Sequence, residues 1–213
     1  KRKPKVLFLE NVKNFKSHDK GKTFQTVVNI IQDNGYSVFF DVLNTCDYTK
    51  IPQNRERTFL ICFRGEHNWE FSRKKNLVSR EFAKRFPPLK VMSNKGIQEF
   101  LESGEVMENF YYRQDKYMYP ELRKAMKSKN TIYQWRRQYL RENKNNRCPT
   151  LTANMGTGGH NVPLVLTDEG YRKLTPRECF NFQGFPKSFK LPKEMANSHL
   201  YKQAGNAVSV PLI

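Results

Sequence analysis

Two kinds of side chain in this 213-residue chain sit where they could do acid–base or anion-gripping work: a carboxylic acid closing an apolar run, and arginines in a short polar loop. The acid is Glu10, the last residue of Lys5 to Glu10 (KVLFLE), followed by Asn11 and Val12. A carboxyl group at a strand end can donate or share a proton with a ligand. The arginines are Arg55 and Arg57 in Gln53-Asn54-Arg55-Glu56-Arg57. A guanidinium carries five donors in a fixed fork and can engage two acceptors together. Thr150, Thr152 and Asn154 lie in the Gly- and Thr-rich stretch Pro149 to Asn161 (PTLTANMGTGGHN), and offer hydroxyl and amide groups suited to polar edges or phosphates. Gly156, Gly158 and Gly159 permit backbone conformations closed to other residues, in a pattern that matches neither a P-loop nor GxGxxG. Asn206 and Ala207 follow Gly205 near the C-terminus. By residue type alone each has a plainer use: a solvated acid, solvated arginines, loop formers, a Gly-Asn turn.

The elements that must position these residues read as alternating strand and helix over the first seventy positions. Lys5 to Glu10 is a nearly continuous apolar run, as expected of a strand covered on both faces. Thr23 to Asn34 places Phe24, Val27, Val28 and Ile31 at helical spacing, with Thr23 expected as N-cap and Gly35 as the stop. Tyr36 to Leu43 and Thr58 to Phe63 are strand candidates rich in β-branched and aromatic residues. Between them, Ile51 to Arg57 reads as a polar loop whose proline and charges do not suit a buried strand, so its residues are expected to be open to contact. After about Gly65 the sequence becomes basic and aromatic, which marks a second domain or an insertion. Within it, Thr131 to Arg141 (TIYQWRRQYLR) puts Ile132, Trp135 and Tyr139 on one helical face, predicting a surface helix whose arginines could lie along phosphates. Leu174 to Gln183 predicts a helix with Thr175 as N-cap, Pro176 first in the helix and Glu178 at capping-box spacing. Arg177 and Glu178 are expected to be structural there.

The balance of 38 Lys and Arg against 20 Asp and Glu gives a formal charge of +18 and favours a polyanionic partner such as nucleic acid. No apolar run approaches the ~20 residues of a membrane span, so no membrane is expected and a cytoplasmic location is. The four cysteines, Cys46, Cys62, Cys148 and Cys179, form no CxxC pair, which predicts buried or idle thiols, no metal and no disulfide.

Four strings then converge. Glu10-Asn11-Val12, Gln53 to Arg57, Leu174-Thr175-Pro176-Arg177-Glu178-Cys179 with Gln183-Gly184-Phe185-Pro186, and Lys202-Gln203-Ala204-Gly205-Asn206-Ala207-Val208 resemble the ordered motifs of DNA cytosine-5 methyltransferases. The resemblance implies an α/β fold: the C-terminal half of a Rossmann-like methyltransferase sheet (residues 1–65), a smaller target-recognition domain (66–187) and a return segment packing on the catalytic domain (188–213). It implies transfer of methyl from S-adenosylmethionine to C5 of a flipped cytosine in double-stranded DNA, in a bacterial or phage-encoded restriction-modification setting. Glu10 is then the acid at ring N3, Arg57 and Arg55 grip the flipped base or its phosphate, and Thr150, Thr152, Asn154 and Asn11 contact DNA. Asn206 and Ala207 touch S-adenosylmethionine. The family's Pro-Cys nucleophile and Gly-rich cofactor loop stand upstream of the ENV string, so both are expected before Lys1, on a missing N-terminal portion, and the chain alone is expected to be inactive. Cys148 precedes a proline, the reverse of the needed order. A noncatalytic DNA-binding remnant or subunit, or an RNA cytosine-5 methyltransferase, are the rival readings.

Overall fold

The computed structural model describes residues 2–65, 93–136, 139–155 and 163–213. The described residues fall into two compact units, 2–48 with 56–65, and 49–55 with 93–213. Helices and strands alternate in the first, and strands dominate the middle of the second.

The first unit is a three-stranded sheet in the order β1-β3-β2, with β1 at Val6–Val12, β2 at Tyr36–Asn44 and β3 at Glu56–Arg64. β3 runs antiparallel to both neighbours, so β1 and β2 point the same way and α1 (Lys22–Asp33) makes the crossover between them. α1 presents Phe24 to Phe40 edge-on, with ring centroids 4.6 Å apart. Its N-cap is Gly21 at φ 88°, not Thr23, whose hydroxyl lies 2.7 Å from His18 Nδ1. A left-handed glycine can bend the chain into the helix without a side-chain cap. Gly35, at φ 84°, stands where the helix was expected to stop, and a single-turn α2 (Thr45–Tyr48) follows β2.

The apolar run of β1 is a strand but is not covered on both faces: Val6, Phe8, Leu9 and Val12 are 38–52% exposed. Among the described residues β1 has a single hydrogen-bonded neighbour, while β2 and β3 share the packing that buries Phe39, Phe40, Phe59 and Leu60.

The second unit is built on a four-stranded sheet in the order β5-β4-β6-β7: β4 Tyr133–Arg136, β5 Tyr139–Glu142, β6 Pro163–Thr167, β7 Gly170–Lys173. The helix expected over Thr131 to Arg141 is therefore a hairpin. The spacing of Ile132, Trp135 and Tyr139 suits a helical face, but a segment so rich in aromatic residues gains more by laddering Tyr133 against Leu164 and Gln134 against Arg141 than by forming an isolated surface helix. α3 (Tyr119–Ala125) packs Leu122 into the same small core.

The main core of this unit gathers Ile51, Ile97, Phe110, Ile132, Leu151, Met155, Val165, Leu174, Phe180, Phe182 and Tyr201. α4 (Pro176–Phe182) has the predicted capping box, with Thr175 Oγ1 accepting from Glu178 N at 3.2 Å and Glu178 Oε2 accepting from Thr175 N at 2.8 Å. α5 (Asn197–Asn206) packs beside it. All four cysteines are buried and free. Among the described residues no helix is long and apolar enough to cross a membrane.

Candidate functional site

Glu10 and Arg57 are brought together by strand register. Glu10 stands opposite Phe59 and Val12 opposite Arg57, so Glu10 and Arg57 are diagonal neighbours on one face of the antiparallel pair, close enough for long side chains to meet. Arg57 Nε lies 3.0 Å from Glu10 Oε1, and both side chains are partly shielded, at 13% and 25% exposure. Arg57 Nη1 donates to the carbonyl of Glu56 at 2.9 Å. That fixes the guanidinium along two edges, and Nη2 keeps its donors uncommitted among the described residues, as does the second oxygen of Glu10. Burial lowers the pKa of Arg57 from the ordinary arginine value, and the neighbouring Glu10 opposes that shift. Phe8 stacks on Phe59 at 5.7 Å beside the pair, on the same face of the sheet.

Asn11, the next residue, faces the other way and is exposed, its amide oxygen accepting from Val12 N at 2.8 Å.

Arg55 behaves differently from Arg57. The Ile51 to Arg57 segment was expected to be open to contact; instead Ile51, Pro52, Gln53 and Arg55 are buried, and Gln53 bridges to Cys148 as a short parallel pairing. Polar side chains tolerate that burial because each finds a backbone partner. Gln53 Nε2 donates to Phe182 O at 2.6 Å. Arg55, 2% exposed, donates from Nη1 to Leu151 O at 2.9 Å and from Nη2 to Gly205 O at 3.2 Å and Ala207 O at 2.6 Å. Its charge thus braces the Leu151 loop to the C-terminal end of α5.

Around that brace stand the residues expected to meet DNA and cofactor. Thr150 Oγ1 donates to Asn54 O and Thr152 Oγ1 to Asn154 Oδ1, both at 2.6 Å. Gly205 of α5 lies so close to the loop that a Cβ there would meet the Thr152 carbonyl carbon at 2.2 Å. Asn206 is exposed at the last turn of α5, and Ala207 caps the helix while giving its carbonyl to Arg55. The Gly156, Gly158 and Gly159 cluster lies outside the described residues. The expected site residues therefore form two groups, Glu10, Asn11 and Arg57 in the first unit and the remainder in the second.

A third feature was only half legible in the sequence. Beside Thr150 and Thr152 the second unit holds a cleft of about 620 Å³ whose lining includes Gln134, Arg136, Arg141, Lys144 and Arg147. The TIYQWRRQYLR string announced arginines that could follow phosphates; only the strand alternation of Gln134 and Arg136 could have put them on one side.

A family profile for C-5 cytosine-specific DNA methylase matches residues 1–213. The chain belongs to that family. Among its relatives it is 52% identical over 216 residues to the type II methyltransferase M.Bsp6I of Bacillus sp. (strain RFL6), with all of this chain and 64% of that protein covered. It is 32% identical over 231 residues to the type II methyltransferase M.HhaI of Haemophilus parahaemolyticus, covering 100% of this chain and 62% of that one. The methylase chain thus spans half to two thirds of the length of these and similar relatives. Among solved structures it resembles a Spodoptera frugiperda DNMT2 mutant at a TM-score of 0.69, with 15% identity over 98% of this chain and 64% of that one. An Entamoeba histolytica methyltransferase, EhMeth, matches at 0.66 with 19% identity over 97% of this chain and 59% of that one. At such identities these likenesses show the fold alone, which is a methyltransferase fold of mixed helix and strand.

Within this methylase chain, Cys148 is wholly buried and burial holds its thiol well above the ordinary pKa of 9.0. A nucleophile needs a reachable thiolate, and this sulfur has neither exposure nor charge. Among the described residues no cluster of three metal-ligating side chains occurs.

Proposed function

We propose that this chain is the C-terminal part of a DNA (cytosine-5-)-methyltransferase of a restriction-modification system, acting on a cytosine flipped out of double-stranded DNA. The observation that carries this reading is the Glu10–Arg57 pair: an acid and a guanidinium held 3.0 Å apart, each with hydrogen-bonding capacity left over. Cytosine C5 is a poor nucleophile until a thiolate adds to C6 and pushes electron density toward N3. Glu10 holds a proton at N3 as that charge develops, and Arg57 Nη2 grips the base carbonyl oxygen. Both must reach the ring, which in a duplex requires extruding the nucleotide at a cost of a few kcal/mol.

Phosphate contacts from the second unit, with its Thr150, Thr152 and Asn154 loop, offset that cost, and Asn11 adds a contact beside Glu10. Arg55 acts at one remove, by fixing the loop that carries Thr150 and Thr152. The donor set present fits only the rim of a S-adenosylmethionine site: the exposed carboxamide of Asn206 can meet a polar group, whereas the Ala207 carbonyl is already taken by Arg55. When bound, S-adenosylmethionine supplies the methyl group; Asn206 helps to orient it from the edge.

On this reading residues 1–65 belong to a Rossmann-like sheet, 66–187 read the target, and 188–213 return to the catalytic domain. The nucleophilic cysteine and the Gly-rich cofactor loop come from an N-terminal portion outside this chain, so the chain alone is inactive. Its docking covers the exposed apolar residues of β1, an edge that would otherwise pair indiscriminately. The expected location is cytoplasmic, with no membrane and no metal. The test is methyl incorporation from labelled S-adenosylmethionine into duplex DNA by the full-length protein. No incorporation, or undiminished incorporation after Glu10→Ala, overturns the assignment.

A further inference from the structure

Arg57, Arg113 and Arg172 each meet a carboxylate, Glu10, Glu108 and Glu178 in turn. Arg141 is held as firmly, but by neutral amides. Its Nη2 donates to Gln134 Oε1 at 2.7 Å and to Asn143 Oδ1 at 3.1 Å. Both acceptors are themselves fixed. Gln134 is 2% exposed and stands directly opposite Arg141 in the β4–β5 ladder. Asn143 is 8% exposed and donates from Nδ2 to Ile132 O at 2.8 Å. Arg136 Nη2 also reaches Gln134 Oε1, at 3.4 Å, so two guanidiniums converge on one uncharged oxygen. Like charges so close repel each other, and an amide oxygen cancels neither.

The cleft beside them gathers Arg136, Arg141, Lys144 and Arg147 against a single carboxylate, Glu142. Among the described residues Glu142 forms no ion pair with any of the four. Even with its charge counted the cleft is strongly positive, and it selects an anion. The hydrogens that Arg141 has left say how that anion is arranged. Nη2 is fully engaged, so Nε–H and Nη1–H remain, and they point to opposite sides of the guanidinium. Each serves one acceptor, and the two acceptors must flank the side chain rather than share one edge. A base offers its paired acceptors along one edge. Successive phosphates of a strand offer separate charged oxygens with a gap between them, which is where a pinned guanidinium fits. A cleft of about 620 Å³ has room for such a run of backbone.

Resting on the reading above for its duplex DNA partner, we propose that this cleft seats two successive phosphates of one strand, with Arg141 lodged between them and Gln134 and Asn143 as its positioning residues. Such an anchor fixes where the duplex lies whatever its sequence. The test is binding by the full-length protein to a duplex selected from a random pool by affinity. Binding is measured at several salt concentrations and with single phosphates replaced by uncharged methylphosphonates. Wild-type protein is expected to lose affinity at two successive phosphates of one strand, and Arg141→Ala to be indifferent to those two replacements. Arg141→Ala is also expected to lower the log–log salt slope by roughly 1. Gln134→Glu sets a carboxylate against Arg141 and is expected to lower the slope likewise while the thermal midpoint holds; a Gln134 that only supports the hairpin would shift the midpoint and leave the slope alone. Glu142→Gln removes the opposing charge and is expected to tighten binding roughly twofold to fivefold. An unchanged salt slope and phosphate scan in Arg141→Ala, a loss confined to one base pair, or weaker binding in Glu142→Gln overturns the inference while leaving the methyltransferase reading intact. A wild-type protein that shows the phosphate pattern yet methylates no duplex removes the methyltransferase reading alone, and one that binds no duplex removes both.

Discussion

Each unit holds a glutamate paired with an arginine, and the two pairs differ in how much bonding capacity they leave over. In the second unit Glu178 is saturated: its oxygens accept from Arg172 Nη1 and Nη2 at 2.8 and 2.7 Å, from Glu102 N at 2.9 Å and from Thr175 N at 2.8 Å. Arg172 and Glu178 side chains are 2% and 0% exposed. In the first unit Glu10 spends one oxygen on one nitrogen of Arg57 and stays a quarter exposed. A saturated buried pair can only hold a fold together, because any new ligand must break a bond to enter. An unsaturated pair at a sheet edge can bind something else without giving anything up. The chemical identity of the residues is the same in both places; the surroundings decide the role.

The sharpest way to break this contrast is to neutralise each glutamate. Glu10→Gln in the full-length protein is expected to reduce methyl transfer by roughly a hundredfold to ten-thousandfold, as for loss of a general acid, with denaturant stability changed by less than about 1 kcal/mol. Glu178→Gln is expected to do the reverse, costing about 3–5 kcal/mol of stability by stranding the buried Arg172 charge, read from urea unfolding. If Glu178→Gln unfolds no more easily than Glu10→Gln, saturation is not what separates the pairs.

Arg55→Met asks whether the second unit relies on a charged brace as well as an ion pair. It leaves three backbone carbonyls without their donor, and a loss of about 2–3 kcal/mol is expected in the same unfolding assay.

A pH-dependent effect should be shared by both regions. Burial pushes the Cys62 thiol in β3 up to about 12 and raises Cys148 and Cys179 in the second unit well above their usual 9.0. A thiol whose folded pKa is raised binds its proton longer in the native state, so its contribution is complete below about pH 9 and is lost as pH rises toward the folded value. Stability should decline from pH 9 to 12 by about 1.4 kcal/mol per pH unit for each thiol that ionises only on unfolding. A flat profile there would mean that these sulfurs see water. The smallest change is expected from Lys13→Ala, which removes the exposed pair with Glu56 at 2.8 Å and should cost under about 1 kcal/mol.

The sequence announced the elements whose cues were local. The Thr175-Pro176-Glu178 start carried its own cap chemistry, and the aromatic and β-branched runs of β2 and β3 survived as strands because both faces of the pattern agreed with the sheet. Glu10 and Arg57 stand in separate strings that the resemblance sends to one base, and strand register puts them on one face. What stayed hidden depended on partners distant in sequence. Gln53 and Arg55 looked solvated because their acceptors, Phe182, Leu151, Gly205 and Ala207, lie roughly a hundred or more positions away. The β4–β5 hairpin looked helical because its spacing fits both periods, and the deciding contact is with β6. β1 looked covered on both faces because an apolar run carries no sign of how many neighbours a strand has; among the described residues it has one.

The absent side chain at Gly205 carries a practical consequence. The helix end touches the backbone at Thr152 through a gap too narrow for a methyl group, and Arg55 cross-links the same two segments. Anyone grafting a foreign loop onto this scaffold at Thr152 would have to transplant the terminal helix along with it, since the two surfaces have been ground to fit each other and a donor loop with one extra atom at that junction has nowhere to go.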